Sequence, residues 1–245
     1  GGNGVGLFGS AQGSGCIIQS LGLTNVNVIG HYSVGGLVGF AFDGIQVINC
    51  YVTGSITGTN YTGGLLGDIG GVTVDKCHAD VTVSGTVGPT TGDIGGLIGI
   101  DLESSVYRSY STGTVTASVQ NGGFIGRAQS TTLIDNYSTA TVNGGYMTGG
   151  FVGGRDAANL QNCYATGLVP NTGTFIGGFA GYSNASTATN CFWDQETSGQ
   201  TTSSFGTPKS SLQMKTASTF TNATWDFVGE TVNGSNDYWK MGQCN

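Results

Sequence analysis

Apolar and polar positions alternate with period two along most of this chain, with Cys50, Val52 and Ile56 on one side and Tyr51, Thr53, Ser55 and Thr57 on the other. That alternation is the pattern of a strand with one buried face. Helical periodicity is absent through residue 192, and the strand-like segments are rich in Val, Ile, Thr, Tyr and Phe. The chain is therefore predicted to be short strands joined by turns.

The alternation itself repeats. A block reads GGLVG from Gly35, GGLLG from Gly63, GGLIG from Gly95, GGFIG from Gly122, GGFVG from Gly149 and GGFAG from Gly177, with a degenerate VGLFG from Val5. Its second positions, Gly6, Gly36, Gly64, Gly96, Gly123, Gly150 and Gly178, are spaced 30, 28, 32, 27, 27 and 28 residues apart. Midway between these lies a second block: NCYVTGSIT from Asn49, KCHADVTVS from Lys76, RSYSTGTVT from Arg108, DNYSTATVN from Asp135, NCYATGLVP from Asn162 and NCFWD from Asn190. The long interval of 32 recurs in both columns and places an insertion of about five residues around Pro89, predicted to be a protruding loop.

A unit of 27 to 32 residues holding two or three short strands cannot bury its apolar face alone, whereas stacked copies share a continuous core. The predicted fold is all-β: a β-solenoid, parallel β-helix-like, of about seven coils over residues 1–192, with a small C-terminal cap over residues 193–245. At strand spacing, seven coils make a rod about 34 Å long.

Stacking turns sequence positions into columns. Gly36, Gly64, Gly96, Gly123, Gly150 and Gly178 form one, and each lies in a glycine pair. One glycine of the pair is expected to make a corner with positive φ, and the other to allow close backbone approach. The residues that follow, Leu37, Leu65, Leu97, Phe124, Phe151 and Phe179, are expected to fill the core. A phosphate cradle does not fit, because neither a helix N-terminus nor a Lys-Ser/Thr pair follows the glycines. Cys50 and Cys77, and likewise Cys163 and Cys191, become inward neighbours, able to pair as disulfides or to stack as small hydrophobes; stacking is favoured because Ser109 and Asn136 share the column. Facing outward, Thr53, Thr82, Thr112, Thr114, Thr116, Thr139 and Thr141, with Ser55, Thr57, Ser84 and Asn143 among them, make a regular hydroxyl array suited to adhesion or to an ice lattice, though Asp80 interrupts it.

Composition narrows the function. Of 245 residues, 46 are glycine but only three are proline and 9% charged, which fits neither a disordered polyelectrolyte nor collagen. The net charge of −7 has the wrong sign for phosphate backbones, so nucleic acid is not an expected partner. No apolar run reaches the roughly 18 to 20 residues of a membrane-spanning helix, and none suggests a membrane-embedded protein. Asp43, Asp68, Asp101, Glu103, Arg127, Arg155 and Asp156 follow the glycine block and are expected along one edge, either as a solvated row or as the cleft of a polysaccharide-cleaving solenoid. His31 and His78 lie near no nucleophile signature, and His78 occupies the column of Tyr51, Tyr110, Tyr137 and Tyr164. Asn60, Asn136, Asn184, Asn222 and Asn233 open N-x-S/T triplets of the kind that chance supplies in such a composition. No catalytic, cofactor-binding or metal-ligating residue is identified, and no cofactor is expected.

After NCFWD the repeat stops. Ser210 and Gln213 after Pro208 predict a short helix near 210–217, and Trp193, Trp225 and Trp239 are expected to cover the open end of the last coil. Taken with the terminal CFWDQETSGQTTSSFG, LQMKTASTF, TWDFVG and NDYWKM segments, the paired blocks resemble GLUG-motif repeat proteins. That resemblance spans essentially the whole chain. It implies a large secreted or cell-surface bacterial or archaeal protein in which the repeats form a stalk or adhesive region, and it brings no catalytic residue. The family's chains run on past this point, so the beginning at Gly1 and the ending at Asn245 suggest a processed piece, and Cys244 a bond to something further.

The expected function is a non-enzymatic extracellular structural or adhesion module, able to assemble end to end into a filament. Its expected partners are copies of itself or other surface proteins, and possibly glycans. A polysaccharide-binding or -cleaving solenoid is the main alternative, and ice binding the second.

Overall fold

The computed structural model describes residues 4–85, 92–170 and 174–242. The chain winds as a β-solenoid with four walls, visited in the same order on every turn. Wall 1 begins with Phe8–Gln12, Val38–Phe42 and Leu66–Gly70; wall 2 with Ile17–Gln19, Gln46–Ile48 and Thr73–Asp75; wall 3 with Gly22–Ile29, Tyr51–Gly58 and His78–Gly85; wall 4 with Val34–Gly35, Thr62–Gly63 and Asp93–Gly95. Walls 1 and 2 each hold seven strands and wall 4 holds six, so about six turns are complete. All pairings are parallel, each strand lying on its counterpart one turn earlier, as in Tyr51 beside His78 and His78 beside Tyr110. The expected loop around Pro89 falls on residues 86–91, outside the described residues.

The core is columnar. Leu37, Leu65, Leu97, Phe124, Phe151 and Phe179 are all fully buried, and the last three rings stack at 4.8 and 5.0 Å with tilts of 8° and 7°. Val47, Val74, Val106, Leu133 and Leu160 form a second buried stack inside wall 2.

The glycine pairs act differently from expectation. None of Gly36, Gly64, Gly96, Gly123, Gly150 and Gly178, nor their partners, has positive φ. Both members of each pair serve close approach: a Cβ on Gly123 would collide with the Gly150 carbonyl oxygen and the Ser138 hydroxyl, and one on Gly95 with the carbonyl of Ile98. The fifth residue of the block behaves likewise, since a Cβ on Gly153 would stand 2.7 Å from the Asn121 nitrogen. Wall 4 thus packs backbone to backbone against wall 1.

The left-handed corners lie elsewhere and mostly carry side chains. Between walls 2 and 3, Ser20, Asn49, Lys76, Arg108, Asp135, Asn162 and Asn190 all have φ between 45° and 59°. Asn and Asp tolerate this region better than other residues with a Cβ, which accounts for four of the seven. Each corner residue stands just before the inward Cys, Ser or Asn of the second block, so that block is a corner signature.

Beyond the rungs, three short helices follow: α1 (Gln195–Ser198), α2 (Ser211–Met214) and α3 (Ala217–Thr221). The helix predicted near 210–217 is therefore two shorter ones. The capping box is present, with the Ser210 hydroxyl accepting from the Gln213 N–H and Gln213 Oε1 accepting from the Ser210 N–H. Only Trp193 closes the rod as expected, lying over Gly178. Trp225 and Trp239 instead form a second apolar cluster with Phe192, Phe220 and Phe227, packed against Tyr164 on the outside of wall 3.

These contacts separate two kinds of glycine. Gly123→Ala is expected to destabilise by about 2–4 kcal/mol through overpacking. Gly71→Ala, at φ 64° with nothing within 4 Å, is expected to cost about 1 kcal/mol. Chemical denaturation followed by circular dichroism reads both.

Candidate functional site

The inward column after each corner solves a hydrogen-bonding problem. A left-handed corner turns the next N–H away from the ladder, and a buried donor left unpaired costs about 1–3 kcal/mol. The side chain one rung on accepts it: Cys50 N–H donates to Cys77 Sγ at 3.4 Å, Cys77 N–H to Ser109 Oγ at 3.0 Å, and Ser109 N–H to Asn136 Oδ1 at 2.9 Å. Asn136 then donates through Nδ2 to the Val106 carbonyl at 2.8 Å. A small side chain carrying an acceptor atom fits the column, which is why Cys, Ser and Asn interchange there. Cys50, Cys77, Cys163 and Cys191 are buried free thiols, and Cys16 is an exposed one. Burial, then the neighbouring Cys191, pushes the Cys163 thiol up, so it stays protonated at neutral pH. Cys244 lies outside the described residues.

The outward face of wall 3 carries the hydroxyl array in register. Thr53, Asp80 and Thr112 follow one another across rungs; so do Ser55, Thr82, Thr114 and Thr141; so do Thr57, Ser84, Thr116 and Asn143. Thr139 falls between the two short strands Tyr137–Ser138 and Thr141–Asn143. Part of the array is internally bonded, since Thr112 donates to Asp80 at 2.7 Å and Ser55 to Asn27 at 3.2 Å. Beside it runs a ring ladder, Tyr51, His78, Tyr110, Tyr137 and Tyr164, with centroids 4.6 to 5.1 Å apart and tilts of 2° to 6°. The ladder ends on Trp239, whose Nε1–H donates to Asp135 Oδ1 at 3.2 Å. Because the rings cover one another's faces, they offer only edges and hydroxyls to a partner.

The charged residues do not share one edge, contrary to expectation. Asp68, Ile100 and Arg127 occupy one column of wall 1, whereas Ile69, Asp101, Ala128 and Arg155 occupy the next, which points into the core. Asp101 is 0% exposed and Arg155 1% exposed. Arg155 donates to Ser183 Oγ at 3.1 Å and to the Thr187 carbonyl at 3.4 Å, and lies over the Phe205 ring at 4.2 Å. The Ser104 N–H donates to Asp101 Oδ1 at 3.2 Å, and burial pushes that carboxyl up to about 7. Asp43 and Glu103 have positive φ at the corner between walls 1 and 2, and Asp156 closes its strand 3.8 Å from Arg127. Alternation counted from the glycine pair carries this distinction, since Ile69 and Asp101 stand five residues after the second glycine and Asp68 four.

Sequence reading missed Asp93. It stands on wall 4 in a cleft of about 260 Å³ with Tyr32, Asn60, Tyr61, Gln120 and Arg127. Burial pushes Asp93 up to about 6, with Arg127 opposing and Asp68 reinforcing; burial likewise pushes Asp68 up to about 6. Asn60 is 3% exposed and Asn136 fully buried, so neither triplet presents a glycosylation acceptor. Among the described residues no group of three His, Cys, Asp or Glu converges as a metal site.

Residues 30–57, the length of one turn, match the family model of the GLUG motif, so the chain carries the motif that its repeats resemble. A protein of Evansella cellulosilytica, provisionally named a Gly-rich membrane protein, is 34% identical over 161 residues, covering 64% of this chain and 13% of the relative. The matched stretch is thus a small part of that protein's length. No solved structure matches. No helix among the described residues is long and apolar enough to cross a membrane.

Two measurements test these placements. Cys77→Ala, which leaves the Cys50 N–H without its acceptor, is expected to cost about 1–3 kcal/mol, and Cys77→Ser clearly less, in denaturant unfolding. Because the Asp101 pKa is raised on folding, its stabilising contribution is complete below the ordinary carboxylate value near 3.8 and is lost as pH rises through about 7. Asp101→Asn is therefore expected to be more stable than the parent at pH 8, on the order of 2–4 kcal/mol, with the gap closing by pH 4.

Proposed function

We propose that this chain is a non-enzymatic structural and adhesive segment of an extracellular or cell-surface protein, a rigid repeat rod that holds a regular polar face away from its point of attachment. The observation that carries the reading is the parallel ladder that stacks turn on turn in all four walls around a shared core. The outward hydroxyl columns of wall 3 support the adhesive part, because weak contacts repeated at strand spacing add up when a partner engages several rungs. The naming of the relative as a Gly-rich membrane protein supports a place at the cell envelope.

The first rung supplies the means of continuation. Leu7 and Phe8 are exposed apolar side chains there, stacked on the buried Leu37 and Val38, and a further rung, from the same polypeptide or from a second copy, would cover them. End-to-end assembly into a filament belongs to this reading.

The test is direct. Negative-stain electron microscopy of the purified chain is expected to show uniform short rods that lengthen with concentration, and incubation with a panel of polysaccharides is expected to release no reducing ends. Compact particles of no fixed shape would remove the rod, and reducing-end release that survives repurification would remove the non-enzymatic part.

A further inference from the structure

Walls 4 and 1 meet in a crease that runs along the rod. On wall 4, Asp93, Gln120 and Met147 succeed one another across rungs; on wall 1, Asp68, Ile100, Arg127, Gly154 and Tyr182 do so. The two rows approach closely, since a Cβ on Gly154 would stand 2.5 Å from Gln120 Oε1, and Phe175 lies 5.4 Å from Tyr182. The cleft of about 260 Å³ lies between the rows in the polar middle rungs, and the exposed rings of Tyr146, Phe175 and Tyr182 follow along the same rows toward the last ones.

In the polar part, acceptors wait for donors. Asn60 is 3% exposed, lines the cleft, and its Oδ1 has no hydrogen-bond partner. On wall 1, Asp68 Oδ1 is also buried and unpartnered, although the same carboxyl group is hydrogen-bonded by the Ser33 side chain. A buried acceptor without a donor carries a desolvation cost that a ligand hydroxyl would relieve. Arg127, held to Gln129 Oε1 at 3.3 Å, adds a donor and places positive charge against Asp93. A lining that mixes a guanidinium with carboxyl and amide oxygens suits a neutral ligand bearing both donors and acceptors.

The aromatic part differs from the ring ladder of wall 3. Tyr146 and Phe175 meet at 88° and Phe175 and Tyr182 at 76°, with Tyr146 49% and Phe175 41% exposed. Rings set edge to face leave faces open, and an open π-face attracts the weakly positive C–H surface of a sugar ring. Three rungs, about 14 Å, separate the row position of Asp93 from that of Phe175, so a ligand touching both parts must be extended along the axis. A peptide strand is disfavoured, because it would need an unpaired sheet edge: the walls flanking the crease are paired on both sides in the middle rungs, and at the last strands Thr202 and Ser204 bond the Gly178 N–H and the Ala180 carbonyl.

We infer that the crease between walls 4 and 1 binds an extended neutral polysaccharide, its hydroxyls donating to Asn60 and Asp68 and accepting from Arg127 in the middle rungs, and its sugar rings resting on Tyr146, Phe175 and Tyr182 further along. This goes beyond the reading above, which draws adhesion from the hydroxyl columns of wall 3, and adds a glycan site on a different face of the rod. Binding without cleavage is what the inference requires of the site.

Isothermal titration of the purified chain with cellohexaose, xylohexaose, chitohexaose, mannohexaose and maltohexaose tests it. At least one hexasaccharide is expected to bind with a Kd below about 1 mM. The affinity is expected to fall at least tenfold in Asp68→Asn, in Arg127→Gln and in the exposed-surface pair Tyr146→Ala/Phe175→Ala, with unchanged melting temperature in the last, and to stay unchanged in Val232→Ser, an exposed position of the C-terminal segment. No binding by any of the five sugars overturns the inference, as does binding that all three crease variants retain. Tighter binding of hexalysine than of every sugar would assign the crease to a cationic peptide and overturn it too. The scaffold reading stands or falls separately: a chain that binds no glycan but images as a rod loses only the crease.

Discussion

Every side chain in the rungs of this protein must tolerate a counterpart one strand spacing away, and the rest of the structure follows from that constraint. Aromatic rings satisfy it by lying flat on one another, as Phe124, Phe151 and Phe179 do inside and the tyrosines outside. Glycine satisfies it where two walls touch, because the atom above is a backbone oxygen. Charge satisfies it poorly: at about 4 Å two like charges repel by about 4 kcal/mol even at an effective dielectric of 20. The 9% charged content reads as a result of stacking, and columns that do carry charge intersperse it with neutral residues, as in Phe40, Asp68, Ile100 and Arg127.

A second accounting runs through the corners. A chain that must turn several times per coil interrupts its own ladder each time, and every interruption leaves a donor facing inward. The corner between walls 2 and 3 is closed by the acceptors of the Cys, Ser and Asn column. The corner between walls 1 and 2 uses the same device, with the Val72 N–H donating to Ser104 Oγ and the Ala158 N–H to Ser186 Oγ, each at 3.0–3.1 Å. Polar atoms in this core therefore support the turns. Asp101 Oδ2 and one Arg155 nitrogen are buried without partners and fall outside that logic.

Much of this was legible in the chain because a solenoid writes its cross-section repeatedly. Period, strand alternation and the phase of the threonine, tyrosine and phenylalanine columns follow from the two blocks alone. The role of the glycine pair was not legible, since positive φ and close approach leave the same letter. What separates them is the wall facing the glycine, and no spacing shows that. Trp225 and Trp239 were misplaced for a related reason: sequence marks them as apolar cover, but the outer aromatic ladder offers as much ring surface as the rod's end. Asp101 and Arg155 were recoverable from phase and were obscured by the general rule that charge faces water. Asp93 had no such signal, because its significance comes from Arg127 and Asp68 on another wall.

The ring ladder also gives the rod an optical property. Five stacked rings lead from Tyr51 to Tyr164, and Trp225 and Trp239 sit within 6.2 Å of the last. Light absorbed anywhere along that row can pass from tyrosine to tyrosine and be emitted by tryptophan, but only while the turns remain in register. A slipped or frayed rod should add a tyrosine share to the tryptophan emission of the intact one, so the order of the stack can be read from the ratio of the two.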